Sequence, residues 1–143
     1  MKAYDPQNIF AKILRGEIPC FKVYEDERAL SFLDIMPMAT GHTLILPKAP
    51  ARNILDISPD DLAHVITIAK RVALAARDVF EANGITLNQF SEPAGGQSVF
   101  HLHVHIIPRK DGVPLRAPMS YKEDPEILAD QASKLAAALQ AQR

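Results

Sequence analysis

The chain has a single cysteine, no tryptophan and no long apolar run. Cys20 cannot form an intrachain disulfide, and one cysteine excludes a zinc site built from four thiolates. No apolar run approaches the roughly 18 residues that a membrane-spanning helix needs, and the first ten residues lack the apolar region of a signal peptide. The net charge of −1 gives little support to nonspecific nucleic-acid binding. We therefore predict a cytoplasmic protein with no membrane or nucleic-acid partner.

The length and the pattern of apolar residues predict one α+β domain. A chain of 143 residues that is 48% hydrophobic can bury a core of its own, and no linker or repeat divides residues 1–143. Short connections between the first strands favour an antiparallel sheet. The predicted strands are 21–24, 29–33, 43–47, 85–90 and the stretch around 99–107; the predicted helices are 9–14, one of about twenty residues after Ser58, and about 124–141.

Three of the five histidines alternate with apolar residues in one short stretch, His101, His103 and His105. Strict period two beside β-branched residues predicts a strand, so the three imidazoles should share one face with Val99 and Ile107. The other face is wholly apolar and should be buried; it consists of Phe100, Leu102, Val104 and Ile106.

Two kinds of chemistry suit such a row of imidazoles: metal binding, and proton or phosphoryl transfer near neutral pH. A purely structural, hydrogen-bonded role is the alternative to both. On an extended strand the outer two Cα atoms lie about 13 Å apart. Because metal–imidazole bonds are about 2 Å long, the three rings cannot all reach one ion unless the strand bends. A row of imidazoles along an anionic substrate fits this spacing better.

A glycine pair lies directly before the histidines, in Gly95-Gly96-Gln97-Ser98. Glycines allow backbone N–H groups to approach a ligand closely, and successive N–H groups can form an anion-binding concavity. Ser98 adds a hydroxyl. A Gly-Gly pair is usually only a turn, but its position before three histidines indicates a phosphate site.

The chain resembles the histidine triad (HIT) family and, within it, the HINT-like nucleotide-binding branch. The stretch 101–107 matches the family motif His-φ-His-φ-His-φ-φ, where φ is apolar, at all seven positions. Further similar segments are 8–19, 29–35, 41–48 and 95–100, so that the resemblance covers about residues 5–110. It implies a HIT-like fold with a five-stranded antiparallel sheet, one long helix and a C-terminal helix, and a homodimer whose sheets join into ten strands.

The resemblance also implies roles for individual residues. His103 would be the nucleophile that forms a covalent nucleotidyl-histidine, His101 and His105 would orient it and bind phosphate oxygens, and His42 would support them. Asp34 would bind the ribose hydroxyls. Gly96, Gln97 and Ser98 would contact the α-phosphate and the leaving group. The implied base pocket consists of Phe10, Ile13, Ile18, Phe32 and Ile35.

Two departures from the family pattern concern ligands. Some bacterial relatives hold a structural zinc ion at positions that here carry Asn8, Ala11 and Pro50, so we expect no metal and no cofactor. Phe90 and Ser91 stand where the family tends to have Asn or Gln, and Asn88 or Gln89 is the candidate replacement.

The resemblance implies a hydrolase or nucleotidyl transferase that acts on purine nucleoside phosphoramidates. The alternatives are a dinucleoside polyphosphate hydrolase and a nucleotide-binding or signalling protein with slow turnover; a metal-binding protein is a third class.

Overall fold

The computed structural model describes residues 1–142; Arg143, the end of the predicted domain, lies outside the described residues. Within that range the chain forms three helices, five strands and a single 3-10 turn. In chain order these are α1 (Ile9–Leu14), β1 (Lys22–Glu25), β2 (Ala29–Leu33), β3 (Thr43–Pro47), α2 (Pro59–Val79), β4 (Gly84–Asn88), the 3-10 turn (Pro93–Gly95), β5 (Val104–Arg109) and α3 (Pro125–Ala141).

The helices begin where their capping residues predict. Asn8 Oδ1 accepts a hydrogen bond from the N–H of Ala11 at the start of α1. Ser58 and Asp124 do the same for α2 and α3, each followed by a proline at the first helical position. None of the helices within residues 1–142 is long and apolar enough to cross a membrane.

All strand pairs in the five-stranded sheet are antiparallel, and the strand order is β1-β2-β3-β5-β4. The predicted α+β fold is therefore confirmed. The sheet separates two apolar clusters. The larger one lies between the sheet and helices α2 and α3, and the smaller one lies under α1 and contains Phe10, Leu30, Phe32, Leu44 and Leu46.

The long helix α2 buries a slightly different stripe from the one that its apolar spacing predicts, which consists of Leu62, Val65, Ile66, Ala69, Val72, Ala73, Ala76 and Val79. Val65, Ile68, Ala69 and Val72 are buried against the sheet, whereas Ile66 is 42% exposed. Ile66 was expected in the buried stripe, but successive helical residues are separated by about 100°, so Ile66 points away when Val65 points inward.

The histidine stretch is a strand only from Val104 onward, which corrects the prediction that all three histidines lie on it. The register of β3 and β5 pairs Ile45 with Val104, so its continuation would place Pro47 opposite Leu102. Proline has no N–H to donate, and the N–H of Leu102 bonds instead to the carbonyl of Ala51. The predicted apolar face is buried at Leu102, Val104 and Ile106. Phe100 lies outside that core cluster and is only half-buried.

Candidate active site

The ring of His103 is held with one nitrogen free. Its Nδ1 lies 2.7 Å from the backbone carbonyl oxygen of His101. A carbonyl can only accept, so Nδ1 carries the proton and Nε2 keeps its lone pair. The ring is 7% exposed and packs edge-on against Phe10, with 4.8 Å between centroids. His103 therefore presents an unprotonated Nε2 from a fixed position.

A second chain of hydrogen bonds sets the proton of His105. The backbone N–H of Met38 donates to His42 Nδ1 at 3.1 Å, so neutral His42 carries its proton on Nε2. That Nε2 lies 2.9 Å from His105 Nδ1, which must accept. His105 consequently carries its proton on Nε2. Because the His103 and His105 ring centroids are 4.9 Å apart, a lone pair and an N–H donor lie side by side.

His101 occupies a different place from the one predicted for it. Its Nε2 donates to the carbonyl oxygen of Pro47 at 2.8 Å, and its Nδ1 accepts from the hydroxyl of Tyr4 at 2.6 Å. The ring is completely buried. Neither nitrogen is left for a phosphate oxygen, so His101 contacts the site only through the carbonyl that orients His103.

Burial keeps these imidazoles uncharged at neutral pH. It lowers the pKa of His42 and of His101 to about 4, and that of His105 to about 3. The pKa of His103 is also lowered by burial, against an opposing effect of its hydrogen bond to the His101 carbonyl. Desolvation disfavours the imidazolium form in each case. A neutral His103 needs no prior deprotonation before it attacks an electrophile.

Asp34 follows β2 and lies beside the two bonded histidines. Its Oδ1 accepts from the N–H of Met36 at 2.8 Å, and its Oδ2 lies 3.7 Å from His42 Nε2. Burial raises the pKa of its carboxyl. The side chain remains 23% exposed, so a ligand can reach the carboxylate.

Asp34, His42 and His105 each offer an atom within 4.8 Å of the others, which is close enough to suggest a cation site. The positions of the ring protons of His42 argue against a cation site. His42 Nδ1 accepts from Met38, so a metal bound at Nε2 would require His42 to lose both of its ring protons. The three groups fit a hydrogen-bonded relay better than a ligand set.

The predicted base-pocket residues do not all come together. Phe10 and Phe32 lie in the smaller apolar cluster, with Ile13 packed against it. Ile18 is half-buried and is not part of that cluster, and Ile35 is 45% exposed. Of the five predicted residues, the structure therefore brings two phenylalanines and one isoleucine into one apolar cluster.

The loop that contains the glycine pair, residues 92–98 and called the glycine loop below, is held by a polar network that no sequence pattern predicted. Arg52 makes a two-point ion pair with Glu92 at 2.7 and 3.2 Å. Asn53, fully buried, donates to both Glu92 and Gln97. Glu92 has φ +66° and ψ 160°, a conformation that is essentially restricted to glycine. Arg52 and Asn53 have no motif around them that could have identified them.

The side chain of Gln97, for which a phosphate contact was predicted, belongs to this network. Its side-chain oxygen accepts from Asn53 and from the N–H of Glu92, and its Nε2 donates to the carbonyls of Arg52 and Val99. The side chain is 5% exposed. All of its hydrogen-bonding capacity is used to shape the loop.

The residues that remain available around the loop are Gly96, Ser98 and Asn88. Gly96 has φ +95°, which a side chain would strain, and Ser98 is exposed. Asn88 is paired with His105 across β4 and β5, so both side chains point to the same face. Gln89 and Ser91, by contrast, are bonded to each other at 3.0 Å. Of the polar replacements considered for Phe90, only Asn88 faces the histidines.

Comparisons with known proteins identify the family and the fold. A family model described as HIT domain matches residues 15–112. The structure of a Hit-like protein involved in cell-cycle regulation from Bartonella henselae, solved with an unknown ligand, is 48% identical; the match covers 95% of this chain and 99% of that chain, with a TM-score of 0.89. A hypothetical histidine triad nucleotide-binding protein from Sulfolobus tokodaii is 32% identical over 92% of this chain and 91% of that chain, with a TM-score of 0.84. Adenylylsulfatase HINT3 of Arabidopsis thaliana is 37% identical over 130 residues, which are 89% of this chain and 64% of that protein.

Proposed function

This chain belongs to the HIT domain family, and from its site we propose that it is a nucleoside 5′-phosphate hydrolase that works through a covalent nucleotidyl-histidine. The observation that carries the proposal is the hydrogen bond from His103 Nδ1 to the His101 carbonyl. It leaves Nε2 as a nucleophile of fixed direction beside the N–H of His105.

The reaction proceeds in two steps. His103 Nε2 attacks the α-phosphorus and forms an N–P bond while the bond from phosphorus to the leaving group breaks. The departing amine takes the electron pair of that bond and a proton from water. The resulting hydroxide then attacks phosphorus, the electron pair of the N–P bond returns to Nε2, and the nucleoside 5′-monophosphate leaves. The Nε2–H of His105 stabilises a non-bridging oxygen in both steps.

The nucleotide is bound by groups on both sides of these histidines. The carboxylate of Asp34 accepts hydrogen bonds from the ribose hydroxyls, and the base packs on the apolar surface of Phe10, Ile13 and Phe32, with Ile18 and Ile35 at its border. Backbone N–H groups around Gly96 and the hydroxyl of Ser98 bind the phosphate and the leaving group. Asn88, on the same face as His105, supplies a further polar contact.

We place purine nucleoside phosphoramidates first among the substrates, since a neutral nucleophile needs no prior deprotonation and the departing amine takes its proton from water. Dinucleoside polyphosphates are the second candidate. Adenylylsulfate is the third candidate substrate, because one relative is named an adenylylsulfatase. If turnover is slow on all of them, the protein acts as a nucleotide-binding or signalling partner.

The test is a substrate panel with purified protein. Adenosine and guanosine phosphoramidates, a diadenosine polyphosphate and adenylylsulfate would be compared by kcat/KM, with and without EDTA. We expect measurable turnover of the phosphoramidates, unchanged by EDTA, because the proposed chemistry routes no step through a metal. Activity that is lost in EDTA and restored by zinc would contradict the mechanism. Nucleotide binding without turnover of any compound would favour the signalling alternative.

We also propose that two copies associate through β4, one of the two edge strands of the sheet. An edge strand presents unpaired N–H and C=O groups, and Leu87 on this strand is 49% exposed. Pairing with a second β4 would join two sheets into ten strands. Light scattering at micromolar concentration should give twice the chain mass of 15.8 kDa, and a monomer would contradict the dimer.

A further inference from the structure

A row of four aromatic rings crosses the site. The ring centroids of Phe10 and His103 are 4.8 Å apart, those of His103 and His105 are 4.9 Å apart, and those of His105 and Phe90 are 5.5 Å apart. Phe90 meets His105 edge to face, with 62° between the ring planes. The two imidazoles are thus bracketed by two phenyl rings.

The two phenyl rings differ in what they do for the fold. Phe10 is 9% exposed and belongs to the smaller apolar cluster. Phe90 is 38% exposed and is part of neither apolar cluster of the described residues. Besides His105, it lies against the glycine loop, where a Cβ on Gly96 would come within 3.4 Å of its ring. Core packing therefore does not account for Phe90, but its contact with the site does.

The strand order places Phe90 opposite the sugar-binding end. Asp34 follows β2, His42 precedes β3, His105 lies on β5 and Phe90 follows β4. Because β5 lies between β3 and β4, Asp34 and Phe90 are on opposite sides of the histidines. A nucleotide with its ribose at Asp34 and its phosphorus at His103 has three further substituents on phosphorus. Two are non-bridging oxygens, one of which meets the Nε2–H of His105, and the third is the leaving group, which extends away from the ribose toward β4.

The β4 side offers this leaving group an apolar surface. Gln89 donates to the carbonyl of Phe90 and is bonded to Ser91, so both polar neighbours along the chain are engaged. Beyond Asn88, which lies next to His105, the groups that project toward the site are the phenyl ring and the backbone of Gly96. An exposed phenyl ring beside a desolvated pocket binds flat apolar groups, and aromatic ones best, since ring pairs gain beyond their buried area.

From this arrangement we propose that Phe90 determines leaving-group specificity and selects nucleoside phosphoramidates of arylalkyl amines over those of small or charged amines. This rests on the phosphoramidate hydrolysis proposed above. The N–P bond to the amine breaks as before, and the amine leaves with its aromatic ring still on Phe90.

Three adenosine 5′-phosphoramidates test the proposal: the unsubstituted compound, the 2-phenylethylamine compound and the 2-cyclohexylethylamine compound. The wild-type protein should hydrolyse the phenylethyl compound with a kcat/KM about five- to tenfold above that of the unsubstituted one, with the cyclohexyl compound between them. In Phe90→Ala and Phe90→Asn the kcat/KM ratio of the phenylethyl to the unsubstituted compound should fall to about one. Ile127→Ala removes an exposed apolar side chain from α3, away from the site and from β4, and should retain the wild-type ratio.

Binding separates failure of this inference from failure of the proposed function. In the His103→Asn background the intact compounds can be titrated calorimetrically, and Phe90→Ala should weaken the phenylethyl compound several-fold more than the unsubstituted one. If no compound is hydrolysed but this binding preference exists, the hydrolase proposal fails and the specificity surface stands. If the preference is absent in the wild type, or survives Phe90→Ala within twofold, the inference is overturned. The inference is also overturned if Phe90→Ala converts the protein to a monomer while the preference for the phenylethyl compound is unchanged.

Discussion

Nδ1 of His103 lies 2.7 Å from the backbone carbonyl oxygen of His101, two residues earlier in the chain. The carbonyl fixes both the tautomer and the direction of the ring, so a backbone atom determines which nitrogen of this proposed nucleophile keeps its lone pair. The side chain of His101 holds that backbone in place from the opposite direction, through Pro47 and Tyr4. Two members of the triad thus contribute to one function through different atoms.

Replacing the nucleophile should separate binding from turnover. His103→Asn keeps a polar side chain but removes the attacking nitrogen, so nucleotide affinity should largely persist while kcat falls by several orders of magnitude. A nucleotide label that is acid-labile and base-stable should be trapped on the wild-type chain and not on the variant. His64→Asn is the matched control, because His64 lies on α2 and bonds Asp26, with no bond to a site residue. Label on another residue would contradict the mechanism.

Tyr4 should influence catalysis without touching the nucleotide. Tyr4→Phe removes the only donor to buried Nδ1 of His101 within residues 1–142, which should cost about 1 kcal/mol of unfolding free energy. We expect kcat to fall several-fold with little change in KM, and the ¹⁵N shift of His101 Nδ1 to move in NMR spectra. Tyr121→Phe also removes a hydroxyl, which bonds Glu123, and should leave both readouts unchanged. An unchanged ¹⁵N shift in Tyr4→Phe would refute this contact.

The glycine loop should loosen when its ion pair is broken. Glu92→Gln keeps the shape of the side chain but removes the charge that pairs with Arg52. The backbone of residue 92 has a conformation that is unfavourable for any residue with a side chain, so the loop depends on such bonds. We expect a lower Tm and faster amide exchange at Gln97, whose N–H bonds the Glu92 carbonyl. Glu17→Gln, in an exposed pair with Arg15, should change neither. Unaltered exchange at Gln97 would mean that the loop is held by its other bonds.

Asp34 should govern recognition of the sugar. Asp34→Asn retains an acceptor for the N–H of Met36 but loses the carboxylate, and charge-assisted hydrogen bonds are about twice as strong as neutral ones. Calorimetry should show ribonucleotides weakened about tenfold and 2′,3′-dideoxynucleotides much less. Equal losses for both classes would assign Asp34 to the turn alone.

Acid should destabilise the fold through the buried imidazoles. The pKa values of His42, His101 and His105 are lowered to about 4, about 4 and about 3, whereas in an unfolded chain they are about 6.5. Below pH 6.5 the unfolded chain therefore binds protons that the folded chain does not, and the free energy of unfolding falls as pH falls toward 4. Urea unfolding at pH 7, 6 and 5 measures this. His105→Asn should reduce the slope, and a pH-independent free energy would contradict buried neutral rings.

Most elements and the triad were predictable from the sequence, because both depend on local spacing. Ser58 and Asp124 begin helices in the structure as predicted, and the strands at 29–33 and 43–47 have the predicted bounds. The alternation of histidines with apolar residues distinguishes the triad from the other two histidines. Leu102, Val104 and Ile106 are buried as that alternation requires.

Only the tertiary structure decided what each of these residues does. Pro47 on β3 ends the pairing of β3 with β5 before it reaches His103. Tyr4, which is 97 positions away in the chain, donates a hydrogen bond to Nδ1 of His101. Gln97 faces Arg52 and Asn53, which lie on a distant segment with no pattern of its own. Tautomers and hydrogen-bond partners depend on contacts between segments that are far apart in the chain, and residue spacing along one strand carries no information about them.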